Sequence, residues 1–384
     1  MSYTNPNAHQ LIIRAAGGET TYAWTRDLTD DVLPNIDVDD LLLRVNTELA
    51  SHHIVYPNQD ALVRRCLTGL LVGHVILQGP PGTGKTTLAR ALANAFEVHL
   101  HPSTATSEWS PFHVVGGLRP TNDGGLSPAL GVVPYAVLNC AELTRAHLEG
   151  TTGSAPVGTW LLIDEFNRAD IDKAIGSLYT LLSSCEPAHL RDTPIDLWFE
   201  DNDPNRQLWV PARFRIIGTM NDLDTGYVSG MSQGLRRRFQ FITVGVSDEG
   251  ATDADPTTQE LQSALAGARA SLENTYAMTI ADSADLTQAL QRLQRVVDGL
   301  RRPKSGVAGW PVGTAQIVDV LKSYLLSGPE NTHSLDEAVT QRLVGQMTMI
   351  SQGQFETFQT LLTSESLTLA AQELAHLFRP YVVT

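Results

Sequence analysis

The sequence predicts an α/β architecture: a parallel sheet flanked by helices, followed by an all-helical C-terminal region. Three observations carry this. Short apolar runs at 74–78, 160–163 and 214–219 are bounded by polar or glycine-rich residues, as expected of strands buried on both faces. Stretches with apolar side chains at helical spacing lie among them, as with Leu62, Val63, Cys66, Leu67 and Leu70, or Ile171, Ile175, Leu178 and Leu182. From about residue 255 onward the pattern is helical with no strand signal, strongest over 261–276, 285–300, 315–326 and 335–349, with a Pro/Gly-containing loop at 301–311.

Composition fits this frame. The chain has 384 residues, 42% hydrophobic and 18% charged, which is ordinary for a globular protein with two or three domains. A net charge of -15 argues against whole-surface attraction to nucleic acid or anionic lipid, although a local grip on nucleic acid, for example within a pore, stays open. The three cysteines, Cys66, Cys140 and Cys185, are far apart and lack metal-ligand spacing, so they read as buried reduced thiols. The first residues lack the basic and apolar regions of a signal peptide, and no apolar run is long enough to span a bilayer. The expectation is a soluble cytoplasmic protein without a membrane partner.

The most specific stretch is Gly79-Pro80-Pro81-Gly82-Thr83-Gly84-Lys85-Thr86, set between the strand at 74–78 and a helix at 87–96. It matches G-x-x-x-x-G-K-[ST], in which glycines let successive backbone N–H groups surround phosphate oxygens. The helix that follows, entered through Thr87, adds partial positive charge at its N-terminus. Lys85 is placed to neutralise the outer phosphates and the Thr86 hydroxyl to ligate Mg²⁺.

The second anchor is Trp160-Leu161-Leu162-Ile163-Asp164-Glu165, a buried strand ending in two acids at the edge where open α/β sheets bind ligands. Asp164 is expected to hold the Mg²⁺ shell and Glu165 to act as general base on the attacking water. A third strand, 214–221, ends in Asn221, which would project toward the γ-phosphate. Gly234-Leu235-Arg236-Arg237-Arg238-Phe239 follows, then a last strand over 239–244. Three arginines in a row can be a solvated face, a nucleic-acid patch, or groups reaching a neighbouring subunit's γ-phosphate.

The remaining stretches are read more loosely. A strand at 10–14, a turn at 16–19 and an acid-capped helix at 37–46 are expected in a short N-terminal extension. Val55-Tyr56-Pro57 either touches a nucleotide base or simply packs. His99 and His101 alternate onto one strand face, but no third metal ligand lies nearby, and His113 and the His52-His53 pair are set aside likewise. Residues 102–159 are rich in Gly, Pro and Thr and read as a long loop, functional or merely inserted, with exposed turns at 114–120 and 123–126. Segments 195–199 and 207–210 are expected to form a hairpin around a turn at 201–205. Trp198 and Trp209 in that hairpin suit either gripping a polymer or packing.

Together these motifs resemble an AAA+ ATPase module, most closely its MoxR and McrB-like branch, over roughly residues 55 to 380. The resemblance rests on Gly79–Thr86 (Walker A), Leu162-Ile163-Asp164-Glu165-Phe166-Asn167-Arg168-Ala169 (Walker B), Ile217-Gly218-Thr219-Met220-Asn221 (sensor 1) and Leu235-Arg236-Arg237-Arg238-Phe239 (arginine finger region). It implies an α/β P-loop NTPase fold with an extension at 1–54, a nucleotide-binding domain at 55–250 and a helical lid at 251–384. It implies ATP, with GTP open, and Mg²⁺ held through Thr86 and Asp164. Residues 79–87 would bind the nucleotide, and Asn167 would position water beside Glu165. It further implies a homo-oligomer, a hexameric ring, in which Arg237 and Arg238 act on the neighbour's nucleotide, with 102–130 and 186–211 as pore insertions and a separately encoded effector or substrate protein as partner. Nucleic acid would be engaged only through pore loops or a partner. One departure stands out: the lid stretch Val312-Gly313-Thr314-Ala315-Gln316-Ile317 lacks the arginine of sensor 2.

Overall fold

The computed structural model describes residues 22–34, 36–151, 156–200, 206–221, 231–246, 256–303, 306–328, 334–347 and 350–378. Contacts divide the chain into two units. Unit 1 takes in Met1–Glu48, Asp60–Gln78 and Lys85–Thr243; unit 2 takes in Leu49–Gln59, Gly79–Gly84 and Val244–Thr384. The strand and turn expected over 10–19, and the hairpin turn at 201–205, lie outside the described residues.

Unit 1 begins with a 3-10 turn, Ala23–Leu28, and helix α1 (Val38–Ser51). Asp37 Oδ1 accepts the N–H groups of Asp39 (2.9 Å) and Asp40 (3.2 Å), so the acid ahead of α1 caps it. Helix α2 (Gln59–Val72) feeds strand β1 (His74–Gly79); helix α3 (Lys85–Ala95) and strand β2 (His99–Thr104) follow. Next come helix α4 (Pro111–Val114), hairpin strands β3 (Gly116–Pro120) and β4 (Leu126–Leu130), helix α5 (Val132–Leu148) and strand β5 (Thr159–Asp164). Helices α6 (Ile171–Ile175) and α7 (Pro187–Asp192), strands β6 (Ile195–Asp196), β7 (Gln207–Leu208) and β8 (Ile216–Asn221), helix α8 (Gln233–Arg236) and strand β9 (Phe239–Thr243) complete the unit.

The predicted parallel sheet is present, in the order β2-β5-β8-β1-β9. Register fixes which side chains share an edge: Thr104 pairs with Asp164, Ile163 with Gly218, and Gln78 with Thr243. Strands β5 and β8 are buried along their length and emerge only at their last residues, Asp164 and Asn221. The apolar runs are thus consumed by the core, and the polar residues ending them meet at one edge.

Four sequence expectations for this unit are corrected. Residues 102–159 are not a long loop. They hold the β3–β4 hairpin and the 17-residue helix α5. Helix α5 escaped notice because its first half buries Val133, Pro134, Ala136, Val137 and Leu138, so no polar stripe marks a period. Pro134 also reads as a breaker, yet it sits in the first turn, where its missing N–H costs nothing. Within 114–120, Val114 and Val115 are core residues rather than part of an exposed turn. The helix expected over 171–182 ends after Ile175 and continues as 3-10 turns Gly176–Leu178 and Leu181–Ser183, though its four apolar residues are all buried. The hairpin at 195–208 pairs only two residues per strand. Its tryptophans differ: Trp198 is 55% exposed, whereas Trp209 donates to the Arg191 carbonyl (3.0 Å) beneath the Arg26 guanidinium.

Unit 2 is helical: α9 (Pro256–Tyr276), α10 (Ala284–Arg301), α11 (Thr314–Ser327), α12 (Ser334–Arg342), α13 (Gln352–Ser364) and α14 (Thr368–Leu377). The helix expected over 335–349 stops at Arg342, and a 3-10 turn, Val344–Gln346, follows. The core of the unit encloses a buried ion pair. Arg301 donates to both oxygens of Glu260 (2.7 and 3.0 Å) and through Nε to the Val312 carbonyl (2.9 Å), while Thr314 Oγ1 donates to Glu260 (2.5 Å). These bonds pin the entry to α11 from two sides. Among the described residues no helix is long and apolar enough to cross a membrane.

Candidate nucleotide-binding site

In unit 1 the polar ends of β5 and β8 meet the first turn of α3. Lys85 Nζ donates to Asn221 Oδ1 at 2.9 Å. The Asn221 amide donates in turn to both Glu165 oxygens, each at 3.0 Å. Thr86 Oγ1 lies 3.3 Å from Asp164 Oδ1, which also accepts the Thr219 hydroxyl. Asn167 Nδ2 donates to the Asn221 carbonyl at 3.2 Å. Six residues expected from sequence, Lys85, Thr86, Asp164, Glu165, Asn167 and Asn221, therefore form one connected cluster.

Two features mark this cluster as more than packing. Glu165 adopts a left-handed backbone (φ 57°, ψ 42°), which costs a non-glycine residue roughly 1 kcal/mol or more. The turn aims its carboxylate back at Asn221 and at Arg168 Nε, 3.2 Å from Oε2. Asn167 is 4% exposed and its Oδ1 has no hydrogen-bond partner among the described residues. A buried acceptor left open is where a water would bind. The Thr86 hydroxyl and Asp164 carboxylate offer oxygen ligands only, the donor chemistry Mg²⁺ takes.

The glycine loop, Gly79–Gly84, counts with unit 2. Gly82 (φ 75°) and Gly84 (φ 82°) occupy the left-handed region, which turns successive N–H groups to one side. Thr83 Oγ1 donates to the Pro80 carbonyl (3.0 Å), and the Tyr56 hydroxyl donates to the Gly84 carbonyl (2.8 Å). Tyr56 is 4% exposed. The stretch 312–317 also meets this loop. The Ala315 N–H donates to the Gly82 carbonyl at 3.1 Å, and a Cβ on Gly313 would stand 2.4 Å from the Gly82 carbonyl carbon. Gln316 caps its own helix, accepting the Gly313 N–H at 2.8 Å, and its side chain lies beside Gly82. Backbone and a neutral amide occupy the place where the family resemblance expects an arginine.

Among the remaining sequence candidates, Pro80 and Pro81 lie within the loop, and Thr87 is the third residue of α3. Arg238 is fully engaged: Nε donates to the Tyr179 carbonyl (2.5 Å), Nη1 donates to the Gly234 carbonyl, and the guanidinium lies 4.6 Å over the Tyr179 ring. Arg237 is exposed; its N–H donates to the Gln233 carbonyl (3.3 Å), while its side chain makes no hydrogen bond or ion pair among the described residues. His99 and His101 are held below the usual imidazole pKa, by burial first, and the His101 ring lies 4.9 Å from the Tyr135 ring, tilted by 38°. Among the described residues no cluster of three or more His, Cys, Asp and Glu is arranged to hold a metal ion by itself. Burial pushes the Cys66 thiol up to about 12 and Cys140 to about 11, consistent with reduced packing residues.

Two site residues went unremarked in the sequence. Thr219 holds both Asp164 and the Glu165 N–H (3.2 Å). Its signal was available, because it lies two positions before Asn221 and so on the same strand face. Arg168 lay inside the quoted Asp-Glu-Phe-Asn-Arg-Ala stretch, but only the left-handed turn at Glu165 brings it back onto the carboxylate.

A five-stranded parallel sheet with helices on its faces, a glycine loop after its first strand and a helical C-terminal region is the AAA+ P-loop NTPase fold with an all-α lid. Residues 74–239 match the AAA domain of the dynein-related subfamily. The chain is also 29% identical over 183 residues to the Holliday junction branch migration complex subunit RuvB of Ligilactobacillus salivarius (strain UCC118), a match covering 46% of each protein. The chain thus spans less than half the length of that curated relative. Fold and matches together support an AAA+ ATPase that binds nucleotide.

Proposed function

We propose that this chain is a Mg²⁺-dependent, ATP-hydrolysing subunit of a MoxR/McrB-like ring motor that remodels or activates a separately encoded partner. The observation that carries the reading is the Lys85–Asn221–Glu165 relay beside the Thr86–Asp164 pair. With a triphosphate on the loop, Lys85 turns from Asn221 to the outer phosphates, and the Asn221 amide keeps the Glu165 carboxylate aimed. Glu165 accepts a proton from water attacking in line, and the open Asn167 Oδ1 orients that water. Thr86 and Asp164 would hold Mg²⁺, which when bound would supply charge neutralisation at the phosphates. Arg238 is already committed within its own chain, so Arg237 is the arginine for a neighbour's γ-phosphate. The domain boundaries at residues 54/55 and 250/251, the hexamer and a cytoplasmic setting belong to the same proposal.

The test is magnesium-dependent phosphate release with Glu165→Gln as control. The variant should still bind nucleotide and lose turnover by roughly a hundredfold or more. Release unaffected by this substitution would overturn the reading. A second reading is a GTP-driven, McrB-like DNA motor whose nuclease is supplied by a partner, and the likeness to a branch migration subunit favours it. Stimulation by duplex DNA, lost on altering 102–130, would select it. A nucleotide-gated scaffold with little turnover is favoured by the arginine-free stretch 312–317. Nucleotide-dependent assembly without release above the Glu165→Gln level would select that one.

A further inference from the structure

The segment presenting Arg237 is held by a side-chain network that does not touch the nucleotide cluster. Asp172, on α6, accepts three hydrogen bonds: from the Tyr179 hydroxyl, from Ser232 Oγ, and from the Ser232 N–H at 2.8 Å. Ser232 is the N-cap of α8, its Oγ accepting the Leu235 N–H at 3.1 Å. Tyr179 serves the far end of the same segment, with its carbonyl accepting Arg238 Nε and its ring lying under the Arg238 guanidinium. Leu235 is fully buried between these two ends. Arg236 lies over the Phe241 ring at 5.7 Å. Both flanking arginines are thus tied to aromatic rings, whereas the exposed Arg237 side chain has no bonded partner among the described residues.

We infer that Asp172 and Tyr179 are positioning residues for Arg237, fixing the turn that presents it to a neighbouring subunit's nucleotide. The inference rests on the trans role proposed for Arg237. A bare four-residue helix with one capping serine would not hold a long side chain's root still. Anchoring Ser232 and Arg238 to one Asp172–Tyr179 pair fixes the backbone on both sides of residue 237. Charge stabilisation of a transition state needs the donor held within about 0.5 Å, and displacement by about 1 Å costs on the order of a hundredfold in rate. Asp172 and Tyr179 therefore act on turnover through Arg237 and leave their own subunit's nucleotide site intact.

Subunit mixing tests this. Asp172→Asn should lower turnover roughly tenfold to a hundredfold with KM unchanged. Arg237→Ala subunits keep their own catalytic cluster, and Glu165→Gln subunits keep their arginine, so mixing these two should restore phosphate release. Mixing Asp172→Asn with Glu165→Gln should restore it equally, while mixing Asp172→Asn with Arg237→Ala should not. Recovery in the arginine mixture without recovery in the Asp172→Asn mixture would overturn the positioning role and leave the trans role standing. Failure of the arginine mixture itself would overturn both. Should Asp172→Asn not fold, Tyr179→Phe, which keeps the ring under Arg238, carries the same comparison.

Discussion

The side chain of Asn221 joins the two groups on which hydrolysis would turn: its oxygen accepts Lys85 Nζ at 2.9 Å, and its amide donates to both Glu165 oxygens at 3.0 Å. One side chain thus spans the phosphate-binding cation and the carboxylate that would take a proton.

Replacing it with alanine should therefore separate binding from turnover. Asn221→Ala is expected to lower kcat on the order of a hundredfold, since a carboxylate without its amide partner samples unproductive rotamers. Nucleotide affinity should change less than about fivefold, because the loop backbone and Lys85 remain. Steady-state phosphate release and equilibrium nucleotide titration on the same preparation check this.

Gly313 is predicted to tolerate no side chain. A Cβ would stand 2.4 Å from the Gly82 carbonyl carbon and 2.9 Å from the Thr83 nitrogen, both backbone atoms of the phosphate loop. Gly313→Ala should push that loop and cost about 1–3 kcal/mol of stability in the helical unit, as overpacking does. Nucleotide Kd should rise with it. Thermal denaturation with and without nucleotide separates the two effects.

His74 should make unit 1 sensitive to mild acid. The Ile216 N–H donates to its Nδ1 at 3.1 Å, so the ring is the neutral Nε2–H tautomer, and Nε2 lies 3.9 Å from Cys185 Sγ. Burial first, then the Arg215 guanidinium, push its pKa down to about 3. The unfolded chain takes up a proton below about 6.5 and the folded chain does not, so stability falls as pH drops through that window. The loss should approach about 1.4 kcal/mol per pH unit below 6. Chemical denaturation between pH 7 and pH 5 should show this slope, and His74→Gln should flatten it.

Much of this was legible in the sequence because chemistry and strand ends coincide. An apolar run long enough to cross a sheet must stop at the edge, and the residues stopping it, Asp164 and Asn221, are polar by necessity. The motif around Lys85 carries its own geometry in its glycines. The illegible parts lack such a marker. Helix α5 hides its period in a nearly all-buried face. The clamp of Asp172 on Ser232 spans sixty positions and depends on where two short helices happen to meet. Arg168 reaches Glu165 only because one residue takes an unusual backbone angle, which no composition rule announces.

That angle sets stability against charge placement. Glycine would relax the left-handed backbone at position 165, by about 1 kcal/mol, and would remove the carboxylate. At position 165 the chain forgoes that relief and keeps a carboxylate directed at Asn221 and Arg168.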